Sequence, residues 1–135
     1  MDLLQSMKIA AAGMKVQGVR LKVISENIAN ADSMSPIPGG DPYRRKVVTF
    51  QNELDRTLGT EIVKVRKIDH DSSEFRKTYN PGHPAADKSG YVRLPNVNAL
   101  VEMMDMREAQ RSYEANVRIV AVSKKLVART VDLLR

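Results

Sequence analysis

The sequence has 135 residues, the length of about one domain, and carries 22 basic against 16 acidic side chains, for a net charge of +6. It contains no cysteine, which excludes a disulfide framework, a Cys-based zinc site and thiol chemistry by the chain itself. Its aromatics are four tyrosines and two phenylalanines, with no tryptophan, so little bulky material is on hand to fill a core.

The N-terminus, Met1-Asp2-Leu3-Leu4-Gln5-Ser6, begins with an acid and lacks the basic n-region of a secretory signal. No run approaches the ~20 apolar residues of a membrane span. The expectation is a chain that does not span a membrane and is either cytosolic or exported with its N-terminus uncleaved. All six prolines and five of the seven glycines fall between positions 36 and 95. Because proline breaks helices and glycine weakens them, the chain divides into 1–35, 36–95 and 96–135, read as three parts of one composite domain.

The first part reads as a helix with an exit loop. Met7, Met14, Leu21 and Ile28 recur every seven residues, with Leu3, Ala10, Gln17, Ile24 and Ala31 at the companion heptad positions. That pattern predicts a coiled-coil-like seam. Gly13 and Gly18, beside Ala10, Ala11 and Ala12, predict a smooth patch where a second backbone approaches closely. Lys8, Lys15 and Lys22 form a solvated stripe. Asp32-Ser33-Met34-Ser35-Pro36-Ile37-Pro38 predicts the loop that leaves the helix.

In the central part, Lys46–Phe50, Glu61–Ile68 and Tyr91–Leu94 are predicted as short strands, with Leu58-Gly59-Thr60 in a connection. Asn80-Pro81-Gly82-His83-Pro84 is turn or extended chain. The last part predicts a long helix, capped at its start by Asn96 or Asn98. Its apolar face runs through Met103, Met106, Tyr113, Val117, Val120, Val127 and Leu134. Acids dominate its first half and bases, including Arg118, Lys124, Lys125, Arg129 and Arg135, its second, which complements the helix dipole where the charges lie in terminal turns. The fold expected is mainly α, with a small β and irregular insert between two long terminal helices that pair like a coiled coil.

Asp69, His70, Asp71, His83 and Asp87 are the residues from which a metal site or an acid–base pair would have to be built, but their spacing matches no ligand motif. There is no GxSxG elbow and no phosphate-binding glycine loop. The reading is therefore no enzyme, no cofactor, no metal and no small-molecule substrate. Arg44-Arg45-Lys46, Arg66-Lys67 and Arg76-Lys77 keep open the alternative of a basic nucleic-acid-binding helical protein. Scattered aromatics and interleaved acids (Asp41, Glu53, Asp55, Glu61) weigh against it. Two long apolar stripes with little core material favour a helical assembly module whose neighbours cover the remainder, head-to-tail contacts giving rings or tubes.

The run Ser25-Glu26-Asn27-Ile28-Ala29-Asn30-Ala31 resembles the Asn-Ile-Ala-Asn signature of bacterial flagellar rod, hook and related axial proteins. Gly39-Gly40-Asp41-Pro42-Tyr43-Arg44-Arg45-Lys46, Tyr79-Asn80-Pro81-Gly82-His83-Pro84, Gly90-Tyr91-Val92-Arg93-Leu94-Pro95-Asn96-Val97-Asn98 and Glu102-Met103-Met104-Asp105-Met106, continuing to Arg111-Ser112-Tyr113-Glu114-Ala115-Asn116-Val117, narrow the resemblance to its short proximal-rod type. Two stretches depart from the pattern: Ala85-Ala86-Asp87, where an acid often precedes the Ala-Asp, and Ser72-Ser73, where Ser-Pro is frequent. The resemblance implies a structural subunit of the basal-body rod in the periplasmic space, exported through the flagellar secretion apparatus without a cleaved signal. The partners it implies are other rod proteins, the membrane ring and export apparatus, and copies of itself, with no nucleic acid. The assembly helices are expected to use Leu3, Met7, Met14, Leu21, Ile24, Asn27, Ile28, Asn30, Met103, Met106, Tyr113, Asn116, Val117, Val120, Val127 and Leu134, within or between subunits. Tyr43, Arg44, Arg45, Tyr79, His83 and Tyr91 are the candidate contacts of the insert, the two arginines through inter-subunit ion pairs.

Overall fold

The structure is a computed structural model that describes residues 3–134. Met1 and Asp2, part of the N-terminal run read for a signal, and Arg135, counted among the basic residues of the last segment, lie outside the described residues. The element order is α1 (Leu3–Ala29), β1 (Lys46–Asp55), β2 (Thr60–His70), β3 (Arg76–Tyr79), β4 (Tyr91–Leu94) and α2 (Ala99–Leu133). This is the mainly α arrangement with a small β insert. No helix among the described residues is long and apolar enough to cross a membrane.

Residue chemistry explains the boundaries. α1 ends where the Asn30 side chain folds back, its Nδ2 donating to the Glu26 carbonyl at 2.8 Å while Ser33 Oγ donates to Asn30 Oδ1. α2 starts at Asn98, whose Oδ1 accepts from the backbone N–H of Leu100 and Val101, as an N-cap does. Asn96, the other candidate cap, is used elsewhere. Glu102 stands in the first turn of α2, but its last turn holds no basic side chain, so the expected dipole match applies at one end only.

β1 and β2 form one two-stranded sheet and β3 and β4 another. The four residues between β1 and β2 can only join antiparallel strands. Both strands run past the predicted segments. β3, which the sequence reading missed, has no apolar alternation, and its four side chains are all exposed. It pairs antiparallel with β4, Arg76 opposite Leu94 and Tyr79 opposite Tyr91.

The chain forms two compact units, neither a contiguous stretch: Met1–Leu21, Val48–Lys67 and Arg107–Arg135 make one, Lys22–Val47 and Ile68–Met106 the other. In the first, α1 and α2 run antiparallel, since Gly13 meets Asn116 while Arg20 meets Glu108. A Cβ on Gly13 would stand 2.8 Å from Asn116 Nδ2, so glycine lets these helices close up. Gly18, expected to do the same, faces open space. Gln5 Nε2 donates to the Leu58 carbonyl at the hairpin tip. The second unit buries Val23, Ile24, Ala31, Ala85, Val92 and Val97 around Asn27 and Glu102. Among the described residues the buried apolar side chains are alanine, valine, isoleucine and proline, a core built without aromatic bulk.

Candidate assembly surface

The face of α2 turned inward is small and polar. Glu102, Ala109 and Ser123 are buried and Asn116 half-buried, and these four recur at steps of seven, the period of a straight seam on a helix. The flank about a quarter-turn from that seam is apolar and open. Ile119, Val122, Leu126 and Leu133 continue from Ala115 at steps of four, three, four and seven, and all are exposed, Val122 at 57% and Leu133 at 87%. In the N-terminal part of the helix Leu100, Val101, Met103 and Met104 are exposed as well. An isolated exposed Leu is unremarkable, whereas a continuous stripe of this length marks a surface meant to be covered.

The expected assembly residues separate accordingly. Ile24 and Asn27 are buried; Leu3, Met7, Met14, Leu21, Ile28, Asn30, Met106, Tyr113, Asn116 and Val120 are half-buried; Met103, Val117, Val127 and Leu134 are exposed. For Val127 and Leu134 the reason is length. With Gly13 opposite Asn116 and Arg20 opposite Glu108, the helical rise carries α2 about two turns past Leu3, the first described residue of α1. These side chains keep the inward phase, but α1 offers nothing at their level among the described residues.

Behind the N-terminal part of α2, in the second unit, lies a buried polar clasp. The side chain of Asn27, only 1% exposed, uses its full hydrogen-bonding capacity. Its Nδ2 donates to the Lys46 carbonyl at 2.9 Å and to Glu102 Oε2 at 3.1 Å. Its Oδ1 accepts from Lys46 N–H and from the Tyr43 hydroxyl, both at 2.9 Å. Asn27 thus pairs with the start of β1 as a neighbouring strand would. Glu102, equally buried, accepts from Arg45 Nε at 2.5 Å, and Arg45 also reaches Asp71 at 3.5 Å and Asp105 at 3.8 Å. Asn96 Oδ1 takes the Arg45 backbone N–H, and its Nδ2 donates to Asp71 O and Ser73 O. Removing one partner of a buried ion pair costs about 3–5 kcal/mol, because the other charge is stranded.

The titration shifts follow this geometry. Burial works against the Arg45 charge, but Glu102, Asp71 and Asp105 outweigh it and hold its pKa above the ordinary arginine value. Burial pushes the Tyr43 hydroxyl up. Ser73 hydrogen bonds, from backbone and side chain, and then Arg45 hold Asp71 below the usual carboxylate range. Lys46 is raised and Glu26 lowered by their mutual contact at 2.9 Å.

The basic triplet is therefore engaged inside the chain. Arg44 donates to the carbonyls of Asp71 and Ser73 and stacks 4.2 Å from the centre of the Phe75 ring, and Arg45 is held by the clasp. Within the chain both arginines meet acids and carbonyls that lie far off in sequence. The other insert candidates sit on the β3–β4 hairpin. Tyr79 and Tyr91 meet edge to face at 5.3 Å, over Gly90, whose φ of 81° and 2.9 Å clearance from Tyr79 admit no side chain. His83 Nδ1 accepts from Ala85 N–H, a loop-closing role.

Comparison with known proteins brings these features together. Residues 88–133, which span β4 and α2, match the family described as flagellar basal body rod FlgEFG protein, C-terminal. The flagellar basal-body rod protein FlgC of Agrobacterium fabrum is 56% identical over 95% of this chain and 92% of its own. The FlgC proteins of Salmonella typhimurium and Aquifex aeolicus are 38% and 37% identical over 98% of this chain, covering 98% and 97% of their own lengths. The chain belongs to the flagellar basal-body rod protein FlgC family. Membership makes it a structural component of the flagellar basal body and bears out the resemblance carried by the Asn-Ile-Ala-Asn run and the central motifs. It does not favour the nucleic-acid alternative, and of the basic clusters that suggested it Arg44, Arg45 and Lys46 are engaged within the chain. What the sequence reading missed in this FlgC-family chain is Glu102 as a buried anchor. The signal available was an acid in register with Ala109, Asn116 and Ser123, a stripe that a search for apolar periodicity passes over.

Proposed function

We propose that the chain is a rod subunit that polymerises with other rod proteins and with copies of itself into the shaft that transmits torque, next to the membrane ring and export apparatus. On this reading it is exported without a cleaved signal, works in the periplasmic space, and has no catalytic activity, small-molecule substrate or nucleic-acid partner. Segments 1–35 and 96–135 serve as the assembly helices, with the sixteen expected positions from Leu3 to Leu134 packing within or between subunits. The insert 36–95 makes lateral and axial contacts, with Tyr79, His83 and Tyr91 on its hairpin and Tyr43, Arg44 and Arg45 shaping it from within.

The observation that carries this reading is the apolar stripe Ile119, Val122, Leu126 and Leu133, exposed along a helix whose inward seam is already closed by small and polar side chains. Polymerisation buries such a stripe at about 25 cal/mol per Å². The test is Val122→Asp combined with Leu126→Asp in a strain whose own copy has been deleted. Both side chains are exposed, so the isolated chain is expected to keep its helix content and melting temperature while rods and motility are lost. Normal rods and swimming in that strain would overturn the proposal.

A further inference from the structure

Helices that meet through small side chains can slide along each other at little cost. In the first unit α1 approaches α2 at Gly13 and Asn116, and the buried side chains of the two helices are Ala10, Val16, Ala109 and Ser123. Sliding α2 by one heptad brings Ala109 or Ser123 to the level of Gly13, both smaller than the Asn116 that stands there. Packing there does not single out one register.

In the second unit the contact between the helices is directional. Asn27 of α1 donates to Glu102 of α2 at 3.1 Å, and each is held from another side, Asn27 by the Lys46 backbone and Glu102 by Arg45. A one-heptad slide would set Ala109 or Pro95 opposite Asn27. The Glu102 carboxylate would then lose both Asn27 and Arg45, and the Asn27 amide would lose Glu102. The geometry points to the Asn27–Glu102 contact, backed by Arg45, as a register lock. These are positioning residues that fix the axial offset of the outward stripe of α2 against α1, and so decide which offset is presented to a neighbouring subunit. A buried polar pair in an otherwise permissive helix contact is the best-attested way of specifying register, and the other polar pair between these helices, Arg20 with Glu108, is exposed on the glutamate side. The inference does not depend on what the chain assembles with.

The absence of cysteine makes introduced pairs unambiguous reporters in the full-length chain. α1 and α2 each run unbroken through both units, and Arg20 meets Glu108 at 3.5 Å. Arg20→Cys with Glu108→Cys therefore reports the native offset. Arg20→Cys with Val101→Cys or with Ala115→Cys reports a slide of one heptad in either direction. With the lock intact the native pair is expected to cross-link at least about tenfold more than the slid pairs. Glu102→Leu, with helix content retained by circular dichroism, is expected to bring the slid pairs to within about threefold of the native one. Glu102→Gln keeps the size and one acceptor oxygen but leaves Arg45 without this carboxylate, and is expected to shift the ratio in the same direction by at least about threefold. It decides the matter if the leucine variant does not fold. A native-to-slid ratio unchanged by Glu102→Gln, or by a folded Glu102→Leu, would mean that the clasp adds stability without selecting register, and would overturn the inference.

Discussion

Asn27 shows how one side chain can be read two ways. In the sequence it is a polar position near the end of an amphipathic helix, indistinguishable from a solvated one. In the fold it is buried, and every donor and acceptor of its amide is paired with groups 16, 19 or 75 residues away. Asn30, three residues on, does what its place at a helix end suggested and folds back onto Glu26. The same neighbourhood sets a pH dependence. Asp71 titrates below its ordinary value of 3.8 because Ser73, through its backbone and its side chain, and then Arg45 favour the carboxylate. A depressed carboxyl contributes stability above its unfolded pKa and loses it as pH falls through the folded one. The chain is therefore expected to lose melting temperature as pH drops from about 4 downward, and Asp71→Asn to show a shallower loss over that window. Parallel acid titrations of thermal unfolding check this, and identical slopes would remove Asp71 from the account.

At the scale of elements, α1 carries two glycines with opposite meanings. A side chain at Gly13 runs into Asn116, whereas one at Gly18 meets nothing within 4 Å. Gly18→Ala is expected to stabilise the chain by about 0.5–1 kcal/mol through helix propensity and reduced unfolded-state entropy. Gly13→Leu is expected to destabilise it by about 1–3 kcal/mol through overpacking. Urea unfolding of the two variants separates them, and effects of the same sign would contradict the close approach at Gly13. α2 teaches a related lesson. Its inward line is Glu102, Ala109, Asn116 and Ser123, while Met103, Val117 and Val127 of its expected apolar face are exposed. Hydrophobic periodicity reports that a helix has a face to bury. It does not say whether the partner is its own chain or another.

At the scale of the whole molecule, burial is divided between two units whose buried apolar residues are small. Larger apolar side chains, Leu100, Met104 and Leu126 among them, are left exposed. Val120 and Val122 make the division measurable, since the first is half-buried and the second exposed. Val120→Asp is expected to lower the melting temperature by several degrees as well as blocking assembly, through the desolvation of a charge. Val122→Asp is expected to block assembly at an unchanged melting temperature. Scanning calorimetry alongside counts of assembled basal bodies distinguishes the two, and equal melting temperatures would mean that Val120 is not part of the folded interior.

How far the sequence reached follows from the range over which its signals act. The clustering of proline and glycine between 36 and 95, the cap at Asn98, the turn at Asn30 and the family signatures are local or contiguous patterns, so the two-helix plan, strands β1, β2 and β4 and the rod family were legible without coordinates. β3 was not, because its four exposed side chains owe their strand to pairing with β4 rather than to any preference of their own. Nor was the fate of the positive charge. A net +6 says nothing of where each cation finds its counter-charge, and only the tertiary structure brings Arg45 to Glu102, 57 residues away, or Arg44 to Phe75. Hydrogen bonds and ion pairs are directional and close over long separations in sequence, while hydrophobic patterning is neither directional nor specific to a partner. The sequence by itself thus determined what kind of chain this is, and the fold decided which face turns inward and what holds it there.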